Sequence, residues 1–221
     1  MTVGVFGKLP AKRDFVQNGL STGLMNILDP WLQAAVAQSR DQLGENWLNL
    51  YLIAPIWRFW MGNRVAGNSV MGAMMPSVDG VGRYFPLCII GEFDHPVPPP
   101  DVNDHGNWFF AVEGLMLDTL SDNATYENLL HGVQSLPDPD RGPSAETDAF
   151  GLLRSAHAQD LYGGYSIWWT AEIPDPDSGN TSYMPIASRA MMHRGLPQPY
   201  EFTTMITNDP AHNPGMAVGG A

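Results

Sequence analysis

The chain has 221 residues, 44% of them hydrophobic and 15% charged, and its 23 acids against 11 bases leave a formal charge of −12. That apolar content excludes a disordered chain, the length suffices to bury a full core, and the negative charge disfavours nucleic-acid phosphates and anionic lipid as partners. The lone cysteine, Cys88, sits in an apolar run without a disulfide partner, and no apolar run approaches the ~20 residues that cross a bilayer, so a soluble, cytoplasmic protein with no direct membrane insertion is expected.

Val3 to Gly7 reads as a first strand, ended by Pro10, which has no ladder donor. Ala11 to Gly23 reads as a polar connection that pins itself to the core through Phe15 and Val16. It carries Lys12, Arg13 and Asp14, and together with Lys8 it holds both lysines of the chain. That positive spot is either a recognition site or a solvated loop.

Asp29-Pro30 has the form of a helix start, a capping acid followed by proline at the first helical position. Trp31, Leu32, Ala35, Val36 and Ser39 then recur at helical spacing as far as about Gly44. A second helix is expected from Glu45 through Tyr51, with Trp47, Leu48 and Tyr51 on one face, and a strand from Ile56 to Met61. Arg58 interrupts that strand and is expected to act as a structural cation, its head meeting an acid or stacking on an indole.

Val70 to Met75 and Tyr84 to Ile90 are apolar runs flanking Pro76, Ser77, Asp79, Gly80 and Gly82, the composition of a sharp reversal between two buried strands. Inside the turn, the Asp79 carboxylate and the five-donor fork of Arg83 are close enough to meet, either clamping the turn or facing a partner. Proline density over Asp94 to Asp101 marks a connector and a subdivision. Helices follow over Asn107 to Leu120 and Tyr126 to Val133.

Gly164 to Thr170 is a strand, Tyr183 to Ala187 is its expected partner, and a short helix falls within Leu196 to Ile206. Strands before and after a helical middle third favour an α/β layered domain, a mixed sheet flanked by helices in three layers, over residues 1 to 207. Residues 208 to 221 read as a flexible tail.

Tests for chemistry mostly fail. Gly7-Lys8 lacks the upstream glycine and the following hydroxyl of a phosphate loop, and Gly164-Tyr-Ser166-Ile-Trp168 puts an indole where a nucleophile elbow needs glycine. His95 and His105 with Asp94, Asp101 and Asp104 are the densest group of metal-ligand types, at a spacing that matches no metal motif. Ser77, Asp79 and His193 supply the residue types of a hydrolase, although hydrogen bonding within the turn explains the first two. No catalytic residue, metal or cofactor is assigned.

Gly4-Val-Phe-Gly-Lys-Leu-Pro10, Asp14-Phe-Val16, Trp31-Leu-Gln33, Tyr51-Leu-x-Ala-Pro-x-Trp-Arg-Phe59, Met75-Pro-Ser-Val-Asp-x-Val-Gly-Arg-Tyr-Phe-Pro-Leu87 and Gly164-Tyr-Ser-x-Trp-Trp169 agree in order and spacing with one family. By these motifs the chain resembles the TagF (ImpM) family associated with bacterial type VI secretion. The resemblance implies a three-layer α/β fold and a non-enzymatic, cytoplasmic accessory protein. It implies post-translational repression of apparatus assembly or firing through a forkhead-associated scaffold protein of the same system. The pattern departs at Arg13, where a glycine is expected before Asp14-Phe15. Lys8, Lys12, Arg13 and Asp14 of the first loop and Asp79 and Arg83 of the central turn either form the expected partner surface or bind one another and hold the N-terminal strand on the hairpin. A metal-assisted or serine hydrolase and a structural part of the secretion machine remain the alternatives.

Overall fold

Strands β1 (Thr2–Gly7), β2 (Val16–Asn18), β3 (Trp57–Met61), β4 (Val70–Met75), β5 (Leu87–Glu92), β6 (Tyr165–Ala171) and β7 (Ala187–Arg194) form one sheet in the order β2-β1-β5-β4-β3-β6-β7. The structure is a computed structural model and describes residues 1–100, 107–139, 162–171 and 187–207. Every strand pair within it is antiparallel, so the sheet is not the mixed one expected. Strand direction depends on which strands become neighbours, and β1 returns beside β5 rather than beside the next long strand, β3.

Because side chains alternate across a strand, a strand covered on both faces reads as a continuous apolar run. In β4, Val70 and Met74 face one cluster, with Phe59, Cys88, Ile90 and Trp168, while Met71, Ala73 and Met75 face the other, with Trp60, Leu87, Ile89 and Trp169. Gly72 is needed between them, since a Cβ there would lie 2.5 Å from the Ile89 carbonyl oxygen and 2.7 Å from the Phe59 ring. Three helices cover the first face: α1 (Thr22–Leu43), α2 (Trp47–Leu52) and, numbered last in chain order, α6 (Phe202–Thr207). The short α3 (Asn63–Ala66) adds Ala66 to that cluster, and α4 (Asn107–Asp118) and α5 (Tyr126–Gln134) cover the opposite face. This is the three-layer α/β arrangement, and β6 and β7 rejoin the same sheet after the proline-rich connector instead of founding a second unit.

Helix α1 begins well before Asp29. Ser21 is its cap, accepting from the Leu24 N–H at 3.2 Å, and Pro30 lies inside. Leu24, Met25 and Leu28 are buried ahead of the proline and extend the apolar stripe that Trp31 and Leu32 continue. Proline removes the bond to the carbonyl four residues back, but Pro30 and Asn26 are both exposed, where losing that bond costs less than it would in the core. The cap is itself fixed to the sheet, because the Glu92 carboxylate of β5 accepts from the Ser21 hydroxyl at 2.6 Å, the Ser21 N–H at 3.0 Å and the Asn68 amide at 2.9 Å. In α2, Trp47 and Tyr51 are buried as expected, while Leu48 turns outward. Of the partner expected for β6, residues 183–186 lie outside the described residues, and the strand that pairs with it runs from Ala187 to Arg194. Residues 208 to 221 also lie outside the described residues.

Arg58 of β3 is buried, and its Nε and Nη2 donate to the two carboxylate oxygens of Glu113 on α4 at 2.6 and 2.8 Å. The guanidinium also lies 5.1 and 5.3 Å from the ring centres of Phe109 and Phe110. It is a structural cation. Glu113→Ala strands that charge in the core and is expected to cost about 3 kcal/mol in urea denaturation, whereas Arg58→Met with Glu113→Leu recovers most of the loss. Burial pushes the Cys88 thiol well above its ordinary value, so the native protein should leave Ellman's reagent unreacted until it is unfolded.

Candidate functional site

The end of β1 meets the β4–β5 connection at a fixed crossing. Gly7 has φ 130°, and a Cβ there would lie 1.9 Å from the Pro86 carbonyl oxygen, so only glycine lets the two backbones approach this closely. The connection between Pro76 and Pro86 is itself a narrow arm. Val78 and Tyr84 bridge across it, the Asp79 N–H donates to the Arg83 carbonyl at 3.0 Å, and the Phe85 N–H donates to the Ser77 carbonyl at 3.1 Å. Ser77 is tied on two sides, its hydroxyl donating to the Lys8 carbonyl at 2.8 Å and its N–H to the Tyr51 hydroxyl at 3.1 Å.

Asp79 is buried at the tip of this arm, where burial alone would raise its pKa. The donors around it reverse that effect. The Lys8 ammonium donates to Oδ2, the Arg83 N–H to Oδ1 at 2.9 Å, the Arg83 Nε to Oδ2 at 2.7 Å and the Val81 N–H to Oδ1 at 3.1 Å, and together they hold the carboxyl well below the usual carboxylate range. Lys8 is buried as well, its ammonium 4.7 Å from the centre of the Phe15 ring. The inner pair therefore joins β1 to the turn and has little surface to offer a partner.

Arg83 and the first loop form the outer tier. The Arg83 side chain is 56% exposed, and its Nη2 donates to the Arg13 carbonyl and lies 3.5 Å from the Asp14 carboxylate, itself 93% exposed. The Gly80 N–H donates to the Lys12 carbonyl at 2.7 Å, so the loop is held along its backbone while its side chains point outward. Lys12 sits 3.6 Å from Glu127 and 5.0 Å from the Tyr126 ring centre, which brings α5 to the edge of the site. The structure thus brings Lys8, Lys12, Arg13, Asp14, Asp79 and Arg83 to one place, with Lys8 and Asp79 inside and the other four at the surface.

Two surface residues escape the sequence reading. Phe15, expected to pin the loop to the core, packs on Phe6 and Phe85 with ring centres 5.9 and 4.8 Å away yet stays 48% exposed, and it is Val16 on β2 that is buried. Val81 is also exposed, on the tip of the turn. An apolar residue between Asp79 and Arg83 in a glycine-bracketed turn is the available signal.

Other candidates do not assemble. His95 Nδ1 lies 2.6 Å from its neighbour Asp94, while Asp101, Asp104 and His105 fall outside the described residues. Among the described residues no group of three His, Cys, Asp or Glu side chains is placed to share a metal ion. His193 is on β7 beside Glu201, across the sheet from Ser77 and Asp79.

The acid limb of stability follows from the depressed Asp79 carboxyl. Its stabilising contribution is complete above the unfolded-state value of about 3.9 and is lost as pH falls below that toward the lower folded value. The Tm of the wild type is therefore expected to fall from about pH 4 downward. Asp79→Asn should lower Tm at neutral pH and flatten that acid limb.

Comparison with known proteins gives this geometry a context. The family described as TagF N-terminal domain, type VI secretion system-associated, matches residues 4–136. Among solved structures, that of PA0076 from Pseudomonas aeruginosa PAO1, at 2.05 Å resolution, is similar with a TM-score of 0.69 and 29% identity over 94% of each chain. The comparison with curated proteins returned no match. Since the matched stretch spans more than half of the chain and contains both the first loop and the β4–β5 arm, the protein belongs to the TagF family of type VI secretion-associated proteins.

Proposed function

We propose that this protein represses assembly or firing of the type VI secretion apparatus after translation, from the cytoplasm, by binding the system's forkhead-associated scaffold protein. It acts by association and carries out no reaction. The partner meets the outer tier of the site, Lys12, Arg13, Asp14 and Arg83, while Lys8 and Asp79 hold that tier in position.

One observation carries this reading: the segment that matches a secretion-associated family contains a loop and a turn whose backbones are fixed to one another and whose charged side chains are displayed. Binding residues borne on loops that a rigid framework positions are a common arrangement for recognition. The formal charge of −12 argues against nucleic acid as the partner.

The test is calorimetric titration of the purified scaffold protein into the folded chain, with the Arg83→Ala variant checked by thermal unfolding. The expected result is one complex, weakened about tenfold or more in the variant. A folded wild type that does not bind the scaffold would remove the proposal.

A further inference from the structure

The described cations are concentrated where the net charge would not lead one to look. On a chain of formal charge −12, Lys8, Lys12, Arg13, Arg40 and Arg83 all come to the end of the sheet where β1 leaves and the β4–β5 arm turns. Arg40 of α1 reaches it from behind, its Nη2 donating to the Tyr84 carbonyl at 3.3 Å and its guanidinium 4.3 Å from the Trp47 ring centre. Lys8 is neutralised by Asp79 inside the fold, Lys12 faces Glu127 at 3.6 Å, Arg83 shares Asp79 and touches Asp14, and Arg13 and Arg40 stand at the surface without a carboxylate beside them among the described residues.

On the first loop and the turn, two guanidinium groups have donors left over. Arg13 is exposed, and its side chain makes no hydrogen bond or ion pair with any described residue. Arg83 turns Nε and Nη2 inward, toward Asp79 and the loop, and leaves Nη1 without a partner among the described residues. The Asp14 contact to Arg83 is long and almost fully solvated, so another carboxylate displaces it readily. Beside these donors, Phe15 is 48% and Val81 55% exposed, apolar surface on a loop and a turn that are otherwise polar.

We infer that this face receives an acidic segment of the partner, with carboxylates on Arg13 and on the outer edge of Arg83 and apolar side chains against Phe15 and Val81. The inference rests on the proposal that this face is the partner surface, and adds what it recognises. A mainly acidic protein that gathers guanidinium groups at one end is steered toward negative partners at that end and repelled by them elsewhere. The apolar pair supplies the contact that salt does not screen.

The full chain and its Arg13→Glu and Phe15→Ser variants are titrated at low and high salt with the scaffold protein. The same set is titrated with a fluorescein-labelled peptide of alternating Glu and Leu and with the matching Lys and Leu peptide. Leu117→Ser, an exposed substitution on α4, serves as control. The expected result is binding of the Glu peptide and not the Lys peptide, weakened about tenfold by Arg13→Glu, weakened by salt, reduced by Phe15→Ser and unchanged by Leu117→Ser. Equal binding of both peptides, binding of neither, or indifference to Arg13→Glu overturns the inference. Scaffold binding that survives Arg13→Glu and Phe15→Ser overturns it while sparing the repressor proposal. Peptide binding without scaffold binding does the reverse.

Discussion

A carboxylate out of water has to have its oxygens met by donors, and at Asp79 the donors come from two separate parts of the chain. The backbone and guanidinium of its own turn approach from one side and the ammonium of Lys8, at the end of β1, from the other. Without the turn the buried Lys8 ammonium has no counter-ion, and without Lys8 the carboxylate loses one of its four donors, so the turn and the strand end stabilise one another. Once they do, the position of everything on the surface follows: Arg83 is aimed by its Nε, and the first loop is drawn in by its Lys12 and Arg13 carbonyls.

In the proposed function, this division into an inner and an outer tier lets one short stretch serve both structure and recognition. The inner groups lack the exposure that a partner needs, whereas Arg13, Asp14, Phe15, Val81 and Arg83 are displayed on backbone already fixed by hydrogen bonds. Such preorganisation lowers the conformational entropy lost on association, which is a large term for long cationic side chains on a free loop.

The same device recurs around the sheet. Glu92 holds the cap of α1, and Arg58 holds α4 through Glu113, so buried charge on a strand ties a covering element on each face. Hydrophobic burial is non-directional and would accept a helix shifted along its groove, while a carboxylate with its donors in place accepts one register. A chain with only 15% charged residues commits several of them to this task.

Local signals are enough for much of this. The hairpin, β1, β3, β6, α2, α4 and α5 announce themselves through apolar runs, helical spacing and turn residues, and Lys8, Asp14, Asp79 and Arg83 lie within family motifs readable by eye, with Lys12 and Arg13 between two of them. The start of α1 is misplaced because Asp29-Pro30 imitates a helix terminus, and what overrides it is a cap anchored by Glu92, 71 positions away. Strand direction, the exposure of Phe15 and the partners of Lys8, Arg58 and Ser21 were decided only in three dimensions. Each depends on which distant residue arrives next to it, and separations of 71 and 55 positions leave no mark on neighbouring sequence. The sequence determined which segments turn and which are buried, because those preferences belong to a residue and its near neighbours. Tertiary structure decided which charges are held inside and which are shown, because solvation is a property of the finished surface.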